Sequence, residues 1–198
     1  MKKIIPTLVA GAFALVAAHA AEIGQPAPAF TAKNLKGDAV SLADLKGKVV
    51  VLEWVNFDCP FVKKHYASGN LPSLQESYAA KGVVWLTINS AAEDKQGYHE
   101  PSKMAEIAAA QGNKASHFLM DAEGKVGKAY DAKVTPHMFI IDAAGKLAYD
   151  GAIDSKATTK AEDVATADKL FVNALEAVLA GKPVADAKNK PYGCGVKY

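Results

Sequence analysis

From Val49 to Phe57 the chain is a nearly continuous apolar run, rich in β-branched side chains, and it stops on Asp58-Cys59-Pro60. A run apolar at both strand parities cannot lie on a half-solvated sheet face. It therefore reads as a central strand covered on both sides. Pro60 suits the first position of a helix, where its missing N–H has no intrahelical partner to lose. This segment thus predicts a buried strand leading directly into a helix, with a thiol at the junction.

The remaining elements are consistent with that frame. Phe30 to Leu42 predicts a short hairpin around Lys36-Gly37-Asp38, and Val83 to Ile88 a second core strand. The helix after Pro60 should continue irregularly to Ala80, broken around Ser68-Gly69-Asn70. Ser90 to Glu100 reads as an exposed loop, followed by a helix with Pro101 in its first turn. His117 to Met120 predicts a short strand and Lys125 starts a helical turn. Met138 to Asp142 and Lys146 to Gly151 form a hairpin over Ala143-Ala144-Gly145. Leu170, Phe171, Ala174, Leu175, Val178 and Leu179 recur at helical spacing within Thr166 to Ala180, and Gly181 ends that helix. Alternating strands and helices predict an α/β fold with a mixed central sheet and helices on both faces. The chain of 198 residues suits one such domain, residues 21–181, followed by a Pro/Gly-rich tail, residues 182–198, that carries Cys194.

The first twenty residues are read as an address. Met1-Lys2-Lys3 is a positive start, and Ile4 to Ala18 is apolar apart from Pro6 and Thr7. Ala18-His19-Ala20 places small residues where a signal peptidase reads, so residues 1–20 are expected to be a signal peptide cut before Ala21. The apolar stretch is shorter than the ~20 residues of a membrane span, so export to the periplasm is expected, without stable membrane insertion. Losing Lys2 and Lys3 balances acidic and basic groups, which excludes the basic surface that nucleic acid requires. All the basic residues are lysine, so bidentate arginine clamps are excluded as well. Two cysteines in an oxidising compartment point to redox chemistry.

Cys59 is the first candidate. At a strand end before a helix it faces unpaired N–H groups and the positive end of the helix dipole, which favour thiolate, and Lys63 and Lys64 could add to that field. Such a thiolate attacks disulfides or peroxides; the alternative is an inert buried cysteine. Glu53, inside the buried strand, is either a carboxyl of raised pKa able to shuttle protons or a residue on a solvated edge. Val134-Thr135-Pro136-His137 precedes a strand, a placement that fits a cis peptide beside a site as well as a plain trans turn. His65 and His137 could join the cysteines as ligands for copper or zinc, although chance placement of surface histidines is the simpler reading. His99 and His117 show no pattern, and no metal or cofactor is called for.

Val50-Val51-Leu52-Glu53-Trp54-Val55-Asn56-Phe57-Asp58-Cys59-Pro60, with Val134-Thr135-Pro136 leading into Ile140-Ile141-Asp142 and Asp150-Gly151, resembles the thioredoxin fold. The Gly24–Phe30 lead-in and Gly47-Lys48-Val49 are similar to the peroxiredoxin-like (AhpC/TSA) branch and to periplasmic TlpA-like thioredoxins. Pro191 to Tyr198 resembles the tail of a peroxiredoxin-like subgroup. The resemblance implies a thioredoxin fold with Cys59 as the redox cysteine, Pro136 as the cis-proline facing it and Glu53 in the buried acidic position. Pro60, Thr135 and His137 would line the substrate site. Two departures stand out. The second cysteine of thioredoxins falls here on Val62, and the proline, threonine and arginine of peroxiredoxins are replaced by Leu52, Asn56 and nothing.

Cys194 is then the candidate for the missing partner. The 13 residues from Gly181 to Cys194, at ~3.3 Å each, could cross a domain of this size. Cys194 could resolve a sulfenate or mixed disulfide on Cys59, form a static bridge, or pair with another chain. The expected function is a thiol oxidoreductase, with Cys59 reducing a peroxide or a protein disulfide, Cys194 resolving, and an external thiol reductant resetting the pair. A non-catalytic binding module or copper carrier with a structural bridge is the alternative.

Overall fold

The computed structural model describes residues 21–198; the expected signal peptide lies outside them. The run that stops at Cys59 supplies β3 in a sheet of seven strands. In chain order the strands are β1 (Thr31–Asn34), β2 (Ala39–Ser41), β3 (Val50–Trp54), β4 (Val84–Asn89), β5 (His117–Met120), β6 (Val134–Thr135), β7 (His137–Ile141), β8 (Leu147–Gly151) and β9 (Cys194–Gly195). The main sheet runs β2-β1-β5-β4-β3-β7-β8, while β6 and β9 pair separately.

β3 lies parallel to β4, with Val50 opposite Val84, and antiparallel to β7, with Val50 opposite Ile141. Flanked on both edges and covered on both faces, all five of its residues are buried. Side-chain alternation divides them. Val50, Leu52 and Trp54 enter one core with Leu86, Ile88, Phe139 and Ile141, closed by Val126 and by Ala21 and Phe30 near the chain start. Val51 and Val55 enter the other core with Trp85, Met138 and Ile140.

Helices α1 (Pro60–Ala67), α2 (Asn70–Ala79), α3 (Pro101–Ala110) and α5 (Leu170–Leu179) contribute Val62, Leu71, Met104 and Phe171 to this second core, and α4 (Lys125–Ala129) lies against the first. The expected break between α1 and α2 falls at Gly69, whose φ of 73° is a left-handed conformation natural to glycine. No helix among the described residues is long and apolar enough to cross a membrane.

Two stretches differ from the sequence expectation. The last helix begins at Leu170, not at Thr166, because Ser155 engages the backbone of Asp168 on both sides. The Asp168 N–H donates to Ser155 Oγ at 2.9 Å, and the Ser155 N–H donates to the Asp168 carbonyl at 3.2 Å. Residues 161–166 form a 3-10 turn instead.

The Pro/Gly-rich tail that carries Cys194, for which the sequence predicts no regular element, returns along the sheet. The Asp150 N–H donates to the Ala187 carbonyl, and Asn189 Oδ1 accepts from the Ala152 N–H at 2.8 Å. β9 then pairs antiparallel with β6, setting Thr135 opposite Cys194. Gly193, with φ 142°, passes so close that a Cβ there would run into the Thr135 carbonyl. Gly193→Ala should therefore lift the tail without unfolding the sheet. Limited trypsin digestion is expected to cut after Lys188 several-fold faster, with near-native circular dichroism; an unchanged digestion rate would contradict this packing.

Candidate redox site

The site is assembled where β3 gives way to α1. Asn56 Oδ1 accepts the Asp58 N–H at 2.9 Å, and the Cys59 N–H donates to the Asn56 carbonyl at 2.9 Å. These two bonds close the turn that delivers Cys59 to the N-cap of α1, with Pro60 at the first helical position. Asn56 was visible in the sequence only as a departure from the peroxiredoxin pattern; here it shapes the turn under the cysteine.

Cys59 is 1% exposed, and its thiol donates to the Thr135 carbonyl oxygen at 3.1 Å. The Thr135–Pro136 peptide bond is cis. Cys194 stands opposite Thr135 across the β6–β9 pair and lies beside Cys59. Burial, together with hydrogen bonding and charge interaction with Cys59, pushes the Cys194 thiol up to about 11. Both cysteines are free thiols in this structure. The geometry thus brings together Cys59, Pro60, Thr135, Pro136 and Cys194.

His137 does not join them. Its side chain follows the parity of Phe139, against whose ring it packs at 4.3 Å, so it belongs to the sheet face opposite Cys59. The Lys133 N–H donates to Nδ1, which leaves Nε2 carrying the proton and donating to Asp150 Oδ1 at 2.8 Å. Burial alone would raise the Asp150 carboxyl, but the bonds from His137 and Lys188 outweigh it and hold the group below its ordinary value. With both ring nitrogens engaged, His137 offers neither a site lining nor a copper ligand. Among the described residues no three His, Cys, Asp or Glu side chains converge as a cation site.

Glu53 is completely buried. It accepts from Tyr66 Oη at 2.8 Å, Gln75 Nε2 at 2.9 Å, Trp85 Nε1 at 2.7 Å and Thr87 Oγ1 at 3.4 Å. Burial raises its pKa against the pull of those four bonds. Its hydrogen bonds join β3 to β4, α1 and α2, and none of them reaches either thiol.

Lys64, expected to add to the field at Cys59, is buried and turned away. Its Nζ donates to the Lys156 carbonyl at 2.7 Å and to Tyr192 Oη at 3.3 Å, with Asp154 Oδ2 at 3.6 Å. Beside it, His65 Nδ1 accepts from Asn70 Nδ2 at 2.9 Å, so Nε2 donates to Tyr192 Oη at 3.1 Å. Tyr192 in turn donates to Asp154 Oδ1. The sequence reading passed over Lys64, Asp154 and Tyr192 as a group. The one available signal was a pair of tyrosines, Tyr192 and Tyr198, bracketing the cysteine of an otherwise polar tail.

A sheet of this order, with one cysteine at the N-terminus of the helix after its central strand and the carbonyl of the residue before a cis-proline opposite, defines a thioredoxin-fold thiol protein. More narrowly, the chain belongs to the Redoxin family, whose model matches residues 22–170. It is 27% identical over 124 residues to the thiol-disulfide oxidoreductase ResA of Bacillus subtilis. That match covers 63% of this chain and 64% of ResA, just under two-thirds of the relative's length. Among solved structures it is similar to an uncharacterised conserved protein from Geobacillus kaustophilus, with a TM-score of 0.75 and 30% identity, covering 89% of this chain and 92% of that one. It is also similar to a Chlorobium tepidum protein assigned as the thiol:disulfide interchange protein DsbE, with a TM-score of 0.53 and 25% identity, covering 66% and 85% respectively.

Two outcomes test the polar packing around the site. Tyr66 Oη accepts from Gln75 and Asn113, so its proton must go to Glu53. Glu53→Gln would set an amide donor among those donors and should cost about 1–3 kcal/mol in urea unfolding. Burial lowers the His65 pKa to about 4, against the pull of Asp154. Below its ordinary 6.5 the unfolded chain takes up a proton that the fold refuses. Stability should therefore fall by on the order of 3 kcal/mol as pH drops from 6.5 to 4. Urea melts across that window should show a shallower fall for His65→Gln; parallel curves would refute the assignment.

Proposed function

We propose that this chain is an exported thiol–disulfide oxidoreductase whose redox pair is Cys59 and Cys194. The observation that carries the reading is the placement of the tail cysteine beside Cys59, across from Thr135, the residue before the cis-proline. Val62 occupies the position where a local partner would stand, so the pair spans the fold instead of one helical turn.

In the forward step the Cys59 thiolate attacks one sulfur of a substrate disulfide, forming a mixed disulfide and releasing one thiolate. Cys194 gives up its proton and attacks the Cys59 sulfur, closing the intramolecular disulfide and releasing the second thiolate. Two electrons pass to the substrate, and an external dithiol returns them by the reverse exchange. Cys59 is nearly inaccessible under the docked tail, so a protein substrate requires the tail to swing aside first. Thr135 and Pro136 form the wall against which the mixed disulfide would lie. Glu53 serves to join α1 and α2 to the sheet. Export after Ala20 places the protein in the periplasm, where its reductant would also have to act.

Peroxide reduction by the same pair is the second reading, favoured by the burial of Cys59, which a protein disulfide cannot reach while the tail is docked. The absence of arginine removes the usual means of polarising the peroxide.

Cys59→Ser should abolish dithiothreitol-dependent reduction of a model disulfide, and Cys194→Ser should accumulate a mixed disulfide on Cys59, both read by intact mass. Wild-type turnover in Cys59→Ser would overturn the proposal. Exposure of the reduced wild-type protein to one equivalent of hydrogen peroxide separates the readings: rapid loss of two hydrogens supports peroxide as an oxidant, whereas an unchanged mass restricts the chemistry to disulfides. A potential below roughly −300 mV would mark the bridge as structural instead.

A further inference from the structure

The tail must do two things that oppose each other. It has to leave Cys59 open to a substrate, and it has to return Cys194 to bonding distance of the same sulfur. A loose link of 13 residues between Gly181 and Cys194 would supply the second thiol at an effective concentration of only about millimolar. Ordered placement raises that value by orders of magnitude, because the translational and rotational freedom of the attacking group is already removed. What orders the tail therefore controls the exchange.

Cys194 is held from both directions. Four residues after it, Tyr198 Oη donates to the Ala132 carbonyl at 2.7 Å, and the Lys197 carbonyl accepts the Ala92 N–H at 2.8 Å. These partners lie in loops away from α1. Two residues before Cys194, Tyr192 has a different anchorage. Its ring meets Phe61 edge-on at 5.8 Å, and its hydroxyl is the meeting point of Lys64, His65 and Asp154. Phe61, Lys64 and His65 all belong to α1, the helix that begins at Cys59. Tyr192 is thus fastened to the same rigid element that carries the attacked sulfur, so the two cysteines share one frame.

The chemistry of the anchor suits a latch. Lys64 and Asp154 are both buried, and burial of such a pair is favourable only when its remaining hydrogen-bonding capacity is met. The Tyr192 hydroxyl meets part of it, accepting from Lys64 and His65 while donating to Asp154. When the tail lifts, those groups face the vacated position and can be hydrated. A polar anchor can exchange its partners for water, which an apolar plug of the same size could not do. Asp154 Oδ2, at 3.6 Å from Lys64 Nζ, is buried with no hydrogen-bond partner while the tail is docked, a cost that hydration relieves when the tail lifts, which keeps the latch reversible.

We propose that Tyr192, seated among Lys64, His65 and Asp154, is a positioning residue that returns Cys194 to Cys59 and so sets both the rate and the equilibrium of disulfide closure. The inference rests on the proposed pairing of the two cysteines. It assigns no contact between Tyr192 and the substrate. The closing step it governs is the attack of the Cys194 thiolate on the Cys59–substrate disulfide, with the substrate thiolate as leaving group.

The test compares wild-type protein with Tyr192→Phe, which keeps the ring against Phe61 and removes only the hydroxyl. Each protein is equilibrated in buffers of reduced and oxidised glutathione, quenched with acid and weighed intact. Tyr192→Phe is expected to lower the equilibrium constant for the Cys59–Cys194 disulfide about tenfold, equivalent to a potential about 30 mV more oxidising. It should also slow release of glutathione from the Cys59 mixed disulfide by a similar factor. Asp154→Asn, which keeps an acceptor for Tyr192 but removes the charge, should shift both quantities in the same direction. A variant that melts at a lower temperature but closes within twofold of wild type would show a merely structural tyrosine and overturn the inference. If the wild-type protein itself forms no Cys59–Cys194 disulfide at any glutathione ratio, the pairing fails and the positioning role fails with it.

Discussion

The thiol of Cys59 bonded to the carbonyl of Thr135 is the contact on which the arrangement turns. It joins residues 76 apart in sequence: the junction of β3 with α1 and the short strand β6 ahead of β7. Because β3 and β7 are neighbouring antiparallel strands, any shift in their register would move the Thr135 carbonyl away from the thiol. That register is held by the burial of Val50, Leu52, Ile141 and Phe139 on one face and of Val51 and Ile140 on the other. The same β6 segment offers its edge to β9, so the tail cysteine reaches its place through the strand that already faces Cys59. The sheet core thus aligns three separate pieces of chain around one sulfur atom.

Around that point the protein buries more polar groups than an apolar core would need, and nearly all of them are paired. Glu53 collects four donors from β4, α1 and α2. Lys64, His65, Tyr192 and Asp154 bond one another between α1, the tail and the loop after β8. His137 and Asp150 do the same on the far face of the sheet. Hydrogen bonds between buried groups are directional, whereas apolar contact is not, and leaving one unmade is costly. They therefore act as registration marks between elements. The Glu53 group sets helices on the sheet, and the Tyr192 group sets the tail on the helix that bears Cys59.

Much of the frame was legible in the chain because it depends on local pattern. The apolar run from Val49 to Phe57, Pro60 behind it and the helical spacing from Leu170 to Leu179 each report burial or backbone preference through neighbouring residues. The break at Gly69 was readable for the same reason. The start of α5 was not, because Ser155, 13 residues upstream, takes the backbone bonds of Asp168. His137 was misplaced by proximity in sequence: it adjoins Pro136, but strand alternation turns its ring to the opposite face. Lys64, expected to add to the field at Cys59, is turned away instead; nothing local indicates that Tyr192 and Asp154 close over it.

By itself, then, the sequence determined the α/β class, the thiol at a strand–helix junction and the existence of a second cysteine on a long tail. Those properties follow from periodicity, proline placement and composition, which act over a few residues. Tertiary structure decided where that second cysteine goes. The path of residues 182–198 depends on Gly193 passing the Thr135 carbonyl, on pairing with two residues of β6, and on a tyrosine hydroxyl shared among three side chains brought from elsewhere in the chain. Each of these is a long-range contact between polar or backbone groups, and such contacts leave no periodic trace in the segments that make them.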